Sequence, residues 1–187
     1  MAEIERQIIE KAAEGDLAAF EQIYRATSGF VYALVLRLVR QPEDAAEITQ
    51  DVYMKIYGNL KDFRYQSALK TWIYRIAVNT ALNARRRLGL RRSREVALDD
   101  TMLVNRPAPG ADLPAAEAEK KQRLEFILSR LTPEHRIILS LRETDGLSYQ
   151  EIADVLKINL NTVRTRLKRA RQQLILVADQ EEVRNEL

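Results

Sequence analysis

Between Leu160 and Gln173 the chain carries Asn161, Arg164, Thr165, Arg166, Lys168, Arg169 and Arg171, and not one acidic residue. Cations without carboxylates to neutralise them suit phosphate binding, and amide, hydroxyl and guanidinium groups are the side chains that pair with base edges. At helical spacing Val163, Leu167, Ala170 and Leu174 fall on one stripe, and the cations fall largely elsewhere. A helix that only needed solubility would interleave acids to form i, i+4 ion pairs. This face is therefore read as one that meets DNA. Asn161, Arg164, Thr165 and Lys168, in the N-terminal half, are placed for base edges; Arg166, Arg169 and Arg171 are placed for phosphates.

A second cluster lies in FRYQSALKTWIYRIAVNTALNARRR, residues 63–87. Phe63, Tyr65, Trp72 and Tyr74 could stack on unpaired bases, and Lys70 and Arg86 add positive charge. Arg75, Asn79, Asn83 and Arg87 recur every four residues as a polar stripe without acids, beside the stripe Leu69, Ile73, Ile76 and Thr80. Such a surface suits opened DNA. The residues alone also fit a packed helix with Trp72 and Tyr74 in its core and a solvated run at 85–87. A third patch is acidic: Asp44, Glu47, Gln50 and Asp51, with Lys55, lie opposite the apolar stripe Ala45, Ile48, Val52 and Ile56, giving either a solvated face or a docking surface.

Other chemistries are poorly provided for. The absence of cysteine excludes disulfides, thiolate nucleophiles and Cys-ligated zinc. His135 is the only histidine, so a triad or a His-rich metal site would have to be built around one residue; neither a catalytic residue nor a metal or other cofactor is expected. The net charge of +3 is too small to name a partner, so the distribution of charge decides. MAEIERQIIEKAAEGD alternates charges where a secretion signal needs an apolar run, and no stretch approaches the roughly 20 apolar residues of a membrane span, so the protein is read as cytoplasmic.

The elements that must position these residues are helices. Six glycines, five prolines and recurrent three- and four-residue apolar spacing predict an all-α fold without strands. Pro107, Pro109, Gly110 and Pro114, with Asp99, Asp100 and Asp112, mark 91–116 as a linker between modules at 1–90 and 117–187. In the first, helices are drawn over about 3–14, 16–27, 29–40, 42–60 and 67–87, with Pro42 at a first helical position. In the second, Thr132, Pro133 and Glu134 start a helix that Gly146 ends at about 144. Ser148 and Glu151 have the spacing of a capping box, and Asn159 caps the basic helix after a turn of about three residues. Ile152, Val155 and Leu156 supply the core side of the supporting helix, and Ala153 allows a close crossing. Ser148–Leu174 is thus a helix-turn-helix, with Lys157 in the turn where many such motifs carry glycine.

These residues alone leave open a self-sufficient regulator that dimerises on palindromic half-sites about one helical turn apart. The order and separation of DAAEITQDVYMKIY, TWIYRIAVNTALN, LRETDGLSYQEIADVL and TVRTRLKRAR, however, resemble the extracytoplasmic-function sigma factors of bacterial RNA polymerase. The resemblance implies a sigma-two and a sigma-four domain, core RNA polymerase as obligate partner, promoter DNA as target, an anti-sigma factor as usual regulator and no enzyme activity. It assigns Asp44, Glu47, Gln50 and Asp51 to the polymerase, and the loop at 61–69 with Asn79 and Asn83 to the opened downstream element. The recognition helix takes the upstream element as duplex. The loop reads FRYQSAL here instead of the common FRGDS type, which puts its base preference in doubt.

Overall fold

Helix starts follow local chemistry. Asp16 Oδ1 accepts from the amides of Ala18 and Ala19, Pro42 stands at the start of its helix, and the Thr132 side chain accepts from the His135 amide. In the computed structural model, which describes residues 4–96 and 126–185, the chain divides into two compact units, Met1–Met102 and Leu103–Leu187. The first contains α1 (Arg6–Ala13), α2 (Leu17–Val39), α3 (Pro42–Asn59), a 3-10 turn (Leu60–Asp62) and α4 (Leu69–Val96). The second contains helical residues 126–130, α5 (Pro133–Leu139) continued by a π turn (Ser140–Thr144), α6 (Tyr149–Leu156) and α7 (Leu160–Asn185). No strand occurs among the described residues, and none of their helices is long and apolar enough to cross a membrane.

In the first unit α2 packs on α1, α3 and α4, and α3 on α4. Ile23, Val31, Leu34, Val35, Ala45, Val52, Ile56, Ile73, Ala77 and Ala81 are fully buried and make its core. Two sequence expectations change here. The helices drawn over 16–27 and 29–40 are one, because Thr27 is buried with its hydroxyl on Ile23 O (2.6 Å) and paired with Tyr53 Oη (2.8 Å), so the apparent Thr-Ser-Gly break is an interior contact. α4 continues to Val96, taking in the first six residues read as linker; Leu88–Val96 holds no proline and several good helix formers. The rest of the expected linker, 97–116, lies outside the described residues.

In the second unit α7 packs on α5 and α6, joining Ile138, Leu141, Ile152, Val155, Val163, Leu167 and Ala170 in a core of fully or almost fully buried side chains. Arg136 is buried too, and its guanidinium closes carbonyls at the end of the preceding helical residues, on Leu128 O (2.9 Å) and Leu131 O (3.1 Å). Helix α5 spans the expected range but changes register near its end: Asp145 N donates to Ser140 O (3.0 Å), and Gly146 then turns the chain at φ 71°.

Candidate nucleic-acid interface

The helix-turn-helix is built as its caps dictate. Glu151 N donates to Ser148 Oγ (3.2 Å) while Ser148 N donates to Glu151 Oε2 (2.8 Å), so both halves of the capping box form. Lys157 ends α6 in the left-handed region, at φ 53° and ψ 46°, and the Lys157 and Ile158 amides both reach Ala153 O, closing the last turn. Asn159 Oδ1 then accepts from the Thr162 amide (2.7 Å) and hydroxyl (2.9 Å) and starts α7. Ile152, Ala153 and Val155 are buried against α7, whose Val163, Leu167 and Ala170 are buried in turn, while Leu156 and Leu174 are half-buried.

That packing turns the rest of α7 outward. Asn161, Arg164, Thr165, Lys168, Arg169 and Arg171 are exposed, and Arg166 is half-buried. Asn159, Asn161, Thr162, Thr165, Arg166 and Arg169 line an open groove. Arg164 Nη1 donates to Asn161 Oδ1 (3.3 Å), and the Thr165 hydroxyl to Asn161 O (2.9 Å). Arg171 stands apart: its Nη2 (2.7 Å) and Nε (3.2 Å) donate to Glu143 Oε1, from the π turn, and Glu143, then Tyr149, hold its guanidinium further in the charged form. Glu143 is therefore a neighbour of the basic face that spacing did not disclose, reaching α7 from the π turn.

In the first unit α4 buries Ile73, Tyr74, Ala77, Val78, Ala81 and Ala84, and the stripe expected to face DNA lies away from them. Asn79, Asn83, Arg86 and Arg87 are exposed, and Arg75 is half-buried. Lys70 Nζ lies 5.7 Å from the centre of the Tyr74 ring. The aromatics differ from expectation. Phe63 and Trp72, offered by the sequence for stacking on bases, are both 8% exposed, with ring centres 5.4 Å apart, and Tyr74 is buried on Phe30. Their apolar area joins them to the core between the 3-10 turn and α4, leaving Tyr65 as the exposed ring of the group (40%). Tyr65 has φ 56°, and its one sequence signal is that it stands where the common FRGDS-type loop has glycine.

On α3, Ala45, Ile48, Val52 and Ile56 face the core. Glu47, Gln50 and Asp51 are exposed and Asp44 is half-buried, so the acidic patch is one surface, while Lys55 Nζ donates to Thr80 Oγ1 of α4 (3.1 Å).

Residues 23–91 match the sigma-70 region 2 family and residues 121–174 the sigma-70 region 4 family. The RNA polymerase sigma-H factor of Pseudomonas aeruginosa is 32% identical over 176 residues, covering 91% of each chain. The ECF RNA polymerase sigma-E factor of Escherichia coli K12 is 36% identical over 172 residues, covering 88% of this chain and 89% of the relative. Among solved structures, CnrH in complex with the cytosolic domain of CnrY superposes with a TM-score of 0.69 at 21% identity, over 94% of this chain and 97% of that one. The sigma factor RpoE of Bartonella quintana, in complex with the anti-sigma factor NepR, superposes with a TM-score of 0.65 at 24% identity, over 86% and 96%; both likenesses describe the fold. With two family regions in order and relatives matched along nearly their whole length, the chain belongs to the extracytoplasmic-function sigma factors of bacterial RNA polymerase.

Proposed function

We propose that this sigma factor binds core RNA polymerase in the cytoplasm, directs it to promoters through two DNA contacts and assists strand opening, with no enzyme activity of its own. The observation that carries this reading is the outward, acid-free stretch 160–173 of α7 on a fully capped helix-turn-helix. Asn161, Arg164, Thr165 and Lys168 read base edges of the upstream element as duplex, and Arg166, Arg169 and Arg171 hold phosphates, Arg171 sharing its charge with Glu143. Arg75, Asn79, Asn83 and Arg86 on α4, with Lys70, hold and read the opened downstream strand. Phe63 and Trp72 serve that contact from the core, by supporting the loop between the 3-10 turn and α4. Asp44, Glu47, Gln50 and Asp51 dock on the polymerase.

Membership of the family favours this over a self-sufficient dimeric regulator. Relatives of the same fold are complexed with a cytosolic domain or an anti-sigma factor, and a protein of that kind is the expected regulator here. Modules at 1–90 and 117–187, with 91–116 between them, are the functional division we assign.

Runoff transcription with sigma-free core polymerase, with and without the protein, tests the proposal. Promoter-specific transcripts only in the protein's presence are expected. Specific DNA binding as a free dimer, with no stimulation of polymerase, would overturn it.

A further inference from the structure

The pairs Arg6–Glu10 and Glu21–Arg25 each lie within one helix at i, i+4 spacing, the ordinary arrangement on a solvated face. Glu143–Arg171 is of another kind. It joins the π turn to α7 across 28 positions, and its cation belongs to the stretch 160–173, where the sequence places no acid. Among the described residues Glu143 is the one carboxylate paired with a cation of that stretch. The negative charge left out of the helix is brought to it from outside.

The geometry of the pair bears on what Arg171 can do. Its Nη2 and Nε both donate to Glu143 Oε1, at 2.7 and 3.2 Å, so the carboxylate sits on a guanidinium edge that could fork onto a phosphate. The two side chains are 46% and 53% exposed, within reach of a ligand from solvent. The cation next to Glu143 in sequence is committed elsewhere. Arg142 Nη1 donates to Leu147 O (2.8 Å), and its Cζ stands 5.2 Å from the centre of the Tyr149 ring. Carboxylate and phosphate carry like charge and suit the same fork, so a DNA phosphate can take that edge only by displacing Glu143.

We propose that Glu143 is a counter-charge that weakens the upstream DNA contact by competing with phosphate for Arg171. The inference rests on the reading of α7 as the helix that meets duplex DNA. Phosphate contacts hold every sequence alike, so Glu143 lowers affinity for all duplexes by one factor and leaves base edges a larger share of the binding. A weaker contact of this kind engages when a tether holds it near its site, as polymerase would.

The test titrates the full chain into a labelled random-sequence duplex and a labelled promoter duplex, followed by fluorescence anisotropy over a salt series. Glu143→Ala and Glu143→Gln are each expected to raise affinity for both duplexes about 1.4- to fivefold at low salt, the range an exposed ion pair spans. The salt dependence is expected to steepen by about one as Arg171 joins the phosphate contacts. The preference for promoter over random sequence and the thermal midpoint are expected to hold. In an Arg171→Ala background the gain from either substitution is expected to shrink. Affinity that stays the same or falls in either variant would overturn the inference, a fall marking Glu143 as a residue that positions Arg171 for DNA. A gain undiminished in the Arg171→Ala background would also overturn it, tracing the effect to repulsion of DNA by Glu143 itself. Binding by the unaltered protein that neither responds to salt nor weakens on Arg169→Ala would instead overturn the reading of α7 beneath it.

Discussion

Lys157 shows how a single residue can be out of keeping with its backbone and still end a helix. A left-handed L-residue costs about 1–2 kcal/mol, and glycine's extra chain entropy returns part of that. Lys157→Gly is therefore expected to stabilise the second unit by about 0.5–1 kcal/mol, a rise of about 2–8 °C in thermal melting; an unchanged or lower midpoint would show that the lysine is not strained. Trp72 carries the opposite lesson. At 8% exposure against Phe63, its truncation to alanine is expected to cost about 3–5 kcal/mol in urea unfolding and to depress closed-complex formation and strand opening together. Loss of opening alone, tracked by permanganate reactivity of unpaired thymines, would restore a direct contact with bases. Burial pushes the Tyr53 hydroxyl up to about 12, its hydrogen bond with Thr27 opposing that rise. The unfolded chain loses that proton near the ordinary value of 10, so its contribution to stability is complete below pH 10 and is lost as pH rises toward 12. Phenolate absorbance should show a late-titrating tyrosine that is lost in Tyr53→Phe.

At the scale of elements, what could be read from the sequence was what local chemistry controls. Pro42, Thr132–Pro133–Glu134, Ser148 with Glu151, and Asn159 mark helix starts because each satisfies or avoids first-turn amides from nearby in the chain. Ser148→Ala should accordingly cost about 1 kcal/mol in stability with little change in DNA contacts. The continuity of α2 through Gly29 was not legible, since it depends on Thr27 meeting Tyr53 from another helix. Nor was the π register at Ser140–Thr144, which buries the Ser140 hydroxyl without a partner and carries Glu143 to Arg171. On the recognition helix, Arg164→Ala is expected to weaken upstream duplex binding by about 1–3 kcal/mol with altered base preference. Arg169→Ala should weaken all sequences alike and reduce the salt slope by about one. The two titrations separate base reading from phosphate holding; identical behaviour would dissolve the distinction.

For the whole molecule, the two proposed DNA contacts, one on each unit, gain from one another only when held at a fixed separation. The free protein is thus expected to bind promoter duplex weakly, and polymerase to raise apparent affinity by about 10²–10⁴, measured by titrating labelled promoter with and without core enzyme; tight specific binding by the free protein would show that the geometry is its own. By itself the sequence determined the all-helical class, the acid-free stretch 160–173 of α7, the amide stripe of Asn79 and Asn83 and the acidic patch on α3, because helical periodicity and charge sign are written residue by residue. Only the tertiary structure decided which aromatics are core and which is exposed, since Phe63, Tyr65, Trp72 and Tyr74 are alike as apolar rings and differ in what α2, α4 and the intervening loop bring against them. It alone also placed Glu143 beside Arg171 and Arg6 over Tyr65, partners 28 and 59 positions apart, because burial and long-range pairing depend on how helices meet, and no local pattern encodes that meeting.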